Sequence, residues 1–192
     1  IVYVGESYTF TDPKPDNSTI AMINETTMKL IGRIEAGQLT NIGVIEVMFD
    51  SAGVLWWTDG SGHIGMVSKL LNKTFDAVGE ACYYMAEVQG TIWFTSKGSA
   101  HIEAVESPVK GLIVEAKTPI LGSVSMLGLY QYFEGEIVTI EVTVYDNVYF
   151  YAKLDGKITT NKTITILMDS NHKLELYFGG AVGTKGRMVL ME

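Results

Sequence analysis

From Gln89 onward the chain offers one kind of segment. GTIWFTS, SAHIEAVES, KGLIVEAK, SVSMLGLYQYF and EIVTIEVTVY follow one another at short spacing, with Gly, Pro or Ser between them. Apolar and polar residues trade places along each, and a period of two is what a strand with one wet face requires. Short strands at regular spacing, punctuated by turn formers, build a sandwich or a barrel. The fold class this implies is mainly β: a jelly-roll or Ig-like β-sandwich over residues 1–133, then a small β module over 134–192. Each edge strand in such a protein must be covered, charged or paired with another chain.

The first half adds strands and one expected exception. IVYVGESYTF (1–10) alternates, and TDPKPDNST (11–19) is rich in prolines and turn formers. Together they read as a strand on a tether, carrying Ile1, Val2, Tyr3, Val4, Tyr8 and Phe10. Such a strand pairs within its own domain by default, or reaches into a neighbour's sheet. TTMKLIGRIE (26–35) sets Met28, Leu30, Gly32 and Ile34 against Lys29 and Arg33, as a half-buried strand does. NIGVIEVMFD (41–50) and GVLWWTD (53–59) flank Asp50-Ser-Ala-Gly53, a hairpin signal. In 64–87 the residues Ile64, Val67, Leu71, Phe75, Val78, Cys82 and Met85 step by three or four. That spacing predicts an amphipathic helix over 64–78, with 80–88 readable as either helix or strand.

Gly60-Ser-Gly62-His-Ile-Gly65 matches the G-x-G-x-x-G of dinucleotide folds. There, glycines make the tight turn, admit the pyrophosphate and seat the helix on the strand. Glu87 lies at a suitable distance to hold a ribose. But only strands are expected before the motif and after Gln89, whereas a parallel nucleotide-binding sheet needs repeated crossovers. Asp59 also places a negative charge beside the first glycine. The better reading is a flexible turn from strand to helix, with a cation site at Asp59 as the remaining alternative. The run lacks the alternating ligands of an EF-hand loop.

Other chemistry is sparse. The net charge is -8, and no Lys/Arg cluster offers a track for phosphates, which argues against nucleic acid as a partner. Cys82 is the only cysteine, so neither an intrachain disulfide nor a cysteine-based zinc site is expected. His63, His101 and His172 lack metal-ligand spacing, and His101 reads as a solvated histidine opposite Ala100, Ile102 and Ala104. No transmembrane helix is expected, since the longest apolar stretch, from Ile120, is short and rich in glycine and serine. The expectation is therefore a protein that is not an enzyme, with no cofactor, no metal and no catalytic residue.

Aromatic residues could still form a sugar-stacking face: Trp56, Trp57, Trp93, Tyr83, Tyr84, Tyr130 and Tyr132. Adjacent Trp56 and Trp57 point to opposite faces of a strand, so at most one enters a one-sided core. Core or subunit contact is the commoner fate of such rings.

Four of the seven asparagines open Asn-x-Ser/Thr: Asn17, Asn24, Asn72 and Asn161. Roughly one such triplet is expected by chance, so the excess points to N-linked glycans on an exported protein. A first residue Ile1 rather than Met fits a processed product or a trimmed chain. Mean hydropathy of +0.18 fits apolar surface covered by neighbouring chains, or a large core.

Over 134–178 the pattern is more specific. Gly135 precedes the alternating Val138, Ile140, Val142 and Val144. Val148-Tyr149-Phe150 follows, then Asp155-Gly156 as a turn, then TITILMDSNHKLELYF. This segment resembles the internalin B-repeat type of bacterial surface protein and its divergent bacterial and archaeal relatives. It departs from them in the middle, with no glycine before Tyr149 and no tryptophan. The resemblance implies an extracellular, non-catalytic β module of the sort found in adhesins, surface stalks and virion fibres.

The expected function is a structural subunit of an extracellular assembly, a surface filament or pilus or a virion capsid or fibre. Copies would join by strand pairing. Two other classes stay open: a carbohydrate- or receptor-binding module using exposed Trp56 or Trp57, and a phage-tail-tube-like ring protein.

Overall fold

The computed structural model describes residues 2–5, 17–24, 26–38, 44–60, 62–76, 81–97 and 101–180. The chain divides into two compact units, Ile1–Val109 and Lys110–Glu192. The architecture is mainly β, in several sheets.

Among the described residues the first unit holds three antiparallel sheets. β1 (Val2–Gly5), β2 (Asn17–Asn24) and β3 (Lys29–Gln38) form one. β4 (Val44–Phe49), β5 (Leu55–Asp59), β6 (His63–Val67) and β7 (Asn72–Asp76) form the second, in that order. β8 (Ala81–Val88), β9 (Thr91–Lys97) and β10 (His101–Glu106) form the third. The second sheet is covered on both faces. Leu55 and Trp57 join Ile20 and Val44 in one core, while Val54, Trp56, Ile64 and Met66 join Cys82, Ile92 and Phe94 in another.

That double burial explains the main departure from expectation. In place of a helix over 64–78 stand β6 and β7, with residues 77–78 outside the described part. His63–Val67 is nearly all buried, so it lacks the alternation that marks a one-sided strand. A strand buried on both faces and a buried helix cannot be told apart by periodicity. The turn between them is closed by Ser68, whose N–H donates to Leu71 O at 2.8 Å and whose Oγ accepts from Leu71 N at 2.9 Å. The segment left open at 80–88 is strand β8.

Two expected turns are present. Asp50 N–H donates to Val54 O at 3.0 Å across the β4–β5 hairpin, with Gly53 at φ 74°. The expected half-buried strand at 26–35 begins in the open instead, with Met28 and Leu30 exposed by 74% and 48%.

β11 (Val109–Ala116) carries the chain into the second unit, which adds β12 (Gly122–Val124), β13 (Gly128–Phe133), β14 (Ile137–Val144), β15 (Phe150–Leu154), β16 (Lys157–Thr159), β17 (Thr163–Leu167) and β18 (His172–Phe178). Five strands run in the order β13-β11-β18-β15-β16, and three in the order β12-β14-β17. The two sheets share one core. Val138, Ile140 and Val142 meet Ile164 and Ile166 from one side, and Leu112, Val114, Phe150, Leu174 and Leu176 from the other. The module expected at 134–192 thus lies inside a unit that begins at Lys110, because β11 pairs in parallel with β18. Asp155 (φ 48°) and Gly156 (φ 81°) make the two-residue turn between β15 and β16, both in the left-handed region that such hairpins require.

Candidate functional site

The glycine motif is a β-hairpin turn. Asp59 ends β5 and His63 opens β6. The Asp59 side chain is completely buried, and its two oxygens serve the turn itself: Oδ1 accepts His63 N–H at 2.8 Å, and Oδ2 lies 2.9 Å from His63 Nδ1. Gly62 takes φ 91°, and Gly65 sits beneath the Trp57 indole, so a strand follows the motif where a nucleotide cradle needs a helix. Glu87 accepts Ser51 N–H at 2.7 Å and the Ser51 hydroxyl as well, clasping the β4–β5 turn to β8. Glu46 does similar work, accepting Met85 N–H at 2.7 Å beside the β8 bulge. Among the described residues no group of three or more His, Cys, Asp or Glu side chains is placed to hold a metal ion.

Both Trp56 and Trp57 are completely buried, so neither is the exposed ring that the carbohydrate-binding alternative called for. Alternation does send them to opposite faces, but both faces of their sheet are covered. The Trp56 indole N–H donates to Asp50 Oδ2 at 2.8 Å, and Asp50 Oδ1 accepts Ala52 and Val54 N–H groups at 2.9 Å each. Burial raises the Asp50 pKa above the ordinary carboxylate value, against the pull of these hydrogen bonds.

Trp93 is the tryptophan that reaches solvent, 42% exposed. It stands at the centre of the outer face of the β8–β10 sheet. Ala86 lies opposite it on β8 and Ala104 opposite it on β10. Tyr84, Val88 and Ile102 share that face, exposed by 75%, 55% and 70%. The side of β10 expected to face the core, Ile102 and Ala104, therefore faces out, while Glu103 and Val105 are half-buried. The side chain of His101 lies outside the described residues.

In the second unit His172 gathers two carboxylates. Its Nδ1 lies 2.7 Å from Asp155 Oδ2, and its Nε2 lies 3.1 Å from Asp169 Oδ1 and 3.0 Å from Leu167 O. Asp155 also accepts Lys173 N–H at 2.8 Å, tying the β15–β16 turn to the start of β18. Burial works to lower the His172 pKa. Asp155 above all, with Leu167 O and Asp169, outweighs it and holds the ring above the ordinary histidine value. The two carboxylates approach opposite ring nitrogens, which suits a proton bridge and not shared metal ligation. Alternation within single segments gave no signal for this cluster, since its partners sit on different turns.

The expected assembly strand pairs in its own chain where it is described: Val2, Tyr3 and Val4 stand opposite Ile23, Met22 and Ala21 of β2. Ile1, Tyr8 and Phe10 lie outside the described residues. Of the four sequon asparagines, Asn17 opens β2 and Asn72 opens β7, and the side chains of both fall outside the described part. Asn24 ends β2 half-buried, its Oδ1 accepting the N–H groups of Thr26 and Thr27 at 3.0 Å each. Asn161 is exposed between β16 and β17.

Among the described residues no helix is long and apolar enough to cross a membrane. Compared with protein-family models and with curated proteins, the chain matches none.

Proposed function

We propose that this chain is a non-enzymatic structural subunit of an extracellular assembly, a surface filament or a virion shell or fibre. Its copies associate through sheet faces and strand pairing. The observation that carries this reading is the outer face of the β8–β10 sheet, where Tyr84, Val88, Trp93 and Ile102 are all exposed. Contiguous exposed apolar surface is stabilised by a partner. A subunit that repeats covers such a face with another copy, and a homo-oligomer needs no further component.

The strand-pairing half of the proposal uses β1. Its pairing with β2 within one chain is the same pairing that exchange between chains would make, so a donated β1 would fill the edge of β2 in a neighbour. The resemblance of 134–178 to surface-protein repeats and the four sequons support an exported, glycan-bearing product with a β-sandwich as its second unit. Electron microscopy of the purified protein tests the assembly reading: ordered polymers or closed shells are expected, and a dilute, permanent monomer would end it. Deleting residues 1–10 tests strand exchange separately, because unchanged polymerisation in the truncated chain would remove that half.

A second reading rests on Trp93. An exposed indole flanked by two alanines is open to the flat face of a sugar ring, as in a carbohydrate-binding module. Glycan-array binding lost in Trp93→Ala would favour this reading over assembly.

A further inference from the structure

We infer that Asn161 carries an N-linked glycan whose position shields the open edges of the second unit. The inference rests on the proposed export of the chain, and goes further by naming the modified side chain and what its sugar does. Three observations converge on this residue. First, Asn161, Lys162 and Thr163, the whole acceptor triplet, are exposed. The Asn161 backbone N–H is held by Thr159 Oγ1 at 3.2 Å, which leaves the carboxamide out of that bond. At Asn24, by contrast, the carboxamide oxygen is committed to closing its own turn.

Second, the link 160–162 has a special place in the topology. β16 is the last strand of the five-stranded sheet, and β17 is the last strand of the three-stranded sheet. The residues between them therefore sit where both sheets end. Third, among the described residues no further strand pairs along either edge. Ile158 on β16 is 68% exposed, and among the described residues Thr163–Leu167 pairs only with β14. Open strand edges with exposed apolar residues invite pairing with other chains unless something bulky or charged covers them. A hydrated glycan at Asn161 supplies that cover for both sheets at once. It directs association away from this side of the second unit.

The donor class is a lipid-linked glycosyl diphosphate. The Asn161 carboxamide nitrogen bonds to the anomeric carbon while the bond from that carbon to the diphosphate oxygen breaks. The lipid diphosphate leaves, and the nitrogen gives up one proton to the transferring enzyme.

The test is to secrete the chain from cells with an N-glycosylation pathway and map its peptides by mass spectrometry. A sugar on most copies of Asn161 is expected, lost in both Asn161→Gln and Thr163→Ala. Each bare variant is expected to sediment as larger species than the glycosylated chain at equal concentration, with an unchanged circular dichroism spectrum. A bare Asn161 beside a modified Asn17, Asn24 or Asn72, or no sugar at any of the four, overturns the site. A modified Asn161 whose removal leaves sedimentation unchanged overturns the shielding. Polymers seen by microscopy with Asn161 bare would sink this inference and leave the assembly proposal standing, and a glycosylated monomer would do the reverse.

Discussion

The indole of Trp57 occupies the space where a side chain at Gly65 would begin. The two residues stand opposite each other on β5 and β6, and a Cβ built on Gly65 would lie 2.1 Å from Trp57 Cε2 and Cζ2. Trp57 is completely buried. Gly65→Ala should therefore destabilise the protein by about 1–3 kcal/mol, the usual penalty for overpacking a filled core. Gly180 is a fair control, because a Cβ there meets nothing within 4 Å. Gly180→Ala should stay within about 0.5 kcal/mol of the parent. Urea midpoints of the two variants check the contrast.

His172 makes stability depend on pH in a definite direction. Its folded pKa is raised above the ordinary value of 6.5 by Asp155, Leu167 O and Asp169, acting against burial. A histidine with a raised folded pKa binds its proton more tightly in the native state. Its contribution is fully present below about pH 6.5 and is lost as pH rises through the folded pKa. Thermal midpoints of the parent should therefore fall between mildly acid and alkaline pH by more than those of His172→Asn. At pH 5 the variant should lose about 1.5–3 kcal/mol, the scale for hydrogen bonds to a charged group. Equal pH slopes in the two proteins would show that folding does not raise the pKa of this ring.

How much of this could be read from the chain follows from what alternation encodes. Val138, Ile140 and Val142 were legible as one apolar face, and they are buried with Ile164 and Ile166 in the core of the second unit. The Asp155-Gly156 and Asp50–Gly53 turns were legible because those residue types tolerate the required dihedral angles. Alternation groups residues by face but does not say which face is inside, or whether both are. That is why Ile102 and Ala104 proved outward-facing, why both Trp56 and Trp57 are buried, and why Ile64–Val67 mimicked a helix. The His172 cluster was hidden for another reason. Asp155 stands 17 residues away, and only the pairing of β15 with β18 brings the two together.

Cys82 should be chemically silent in the native protein. It is completely buried, and burial, reinforced by the charges of Asp59 and Glu103, pushes its thiol up to about 12. The reactive species is the thiolate. At pH 8 only about one native thiol in ten thousand would be ionised, even before access is considered. A water-soluble disulfide reagent at pH 8 should titrate no thiol in native buffer and one thiol per chain in concentrated denaturant. Rapid labelling of the native protein would mean that β8 opens readily or that the core around Cys82 and Ile92 is not closed.

The outer face of the β8–β10 sheet supplies the sharpest test of how copies meet. Trp93 and Ile102 are exposed, so neither holds the core of its own unit together. Replacing either with lysine should change the stability of the isolated chain by no more than about 0.5 kcal/mol, as for other surface positions. If the face is covered by another copy, the same lysine must be buried at a contact without a partner charge, which is strongly unfavourable. Trp93→Lys and Ile102→Lys should each shift sedimentation toward the monomer at concentrations where the parent associates, and the pair together should abolish association. Each substitution also moves the net charge from -8 to -7, which reduces general repulsion between copies. A shift toward monomer would therefore run against the charge effect and report the contact itself. Undiminished association in the double variant would place the contact elsewhere and remove the support this face gives to assembly.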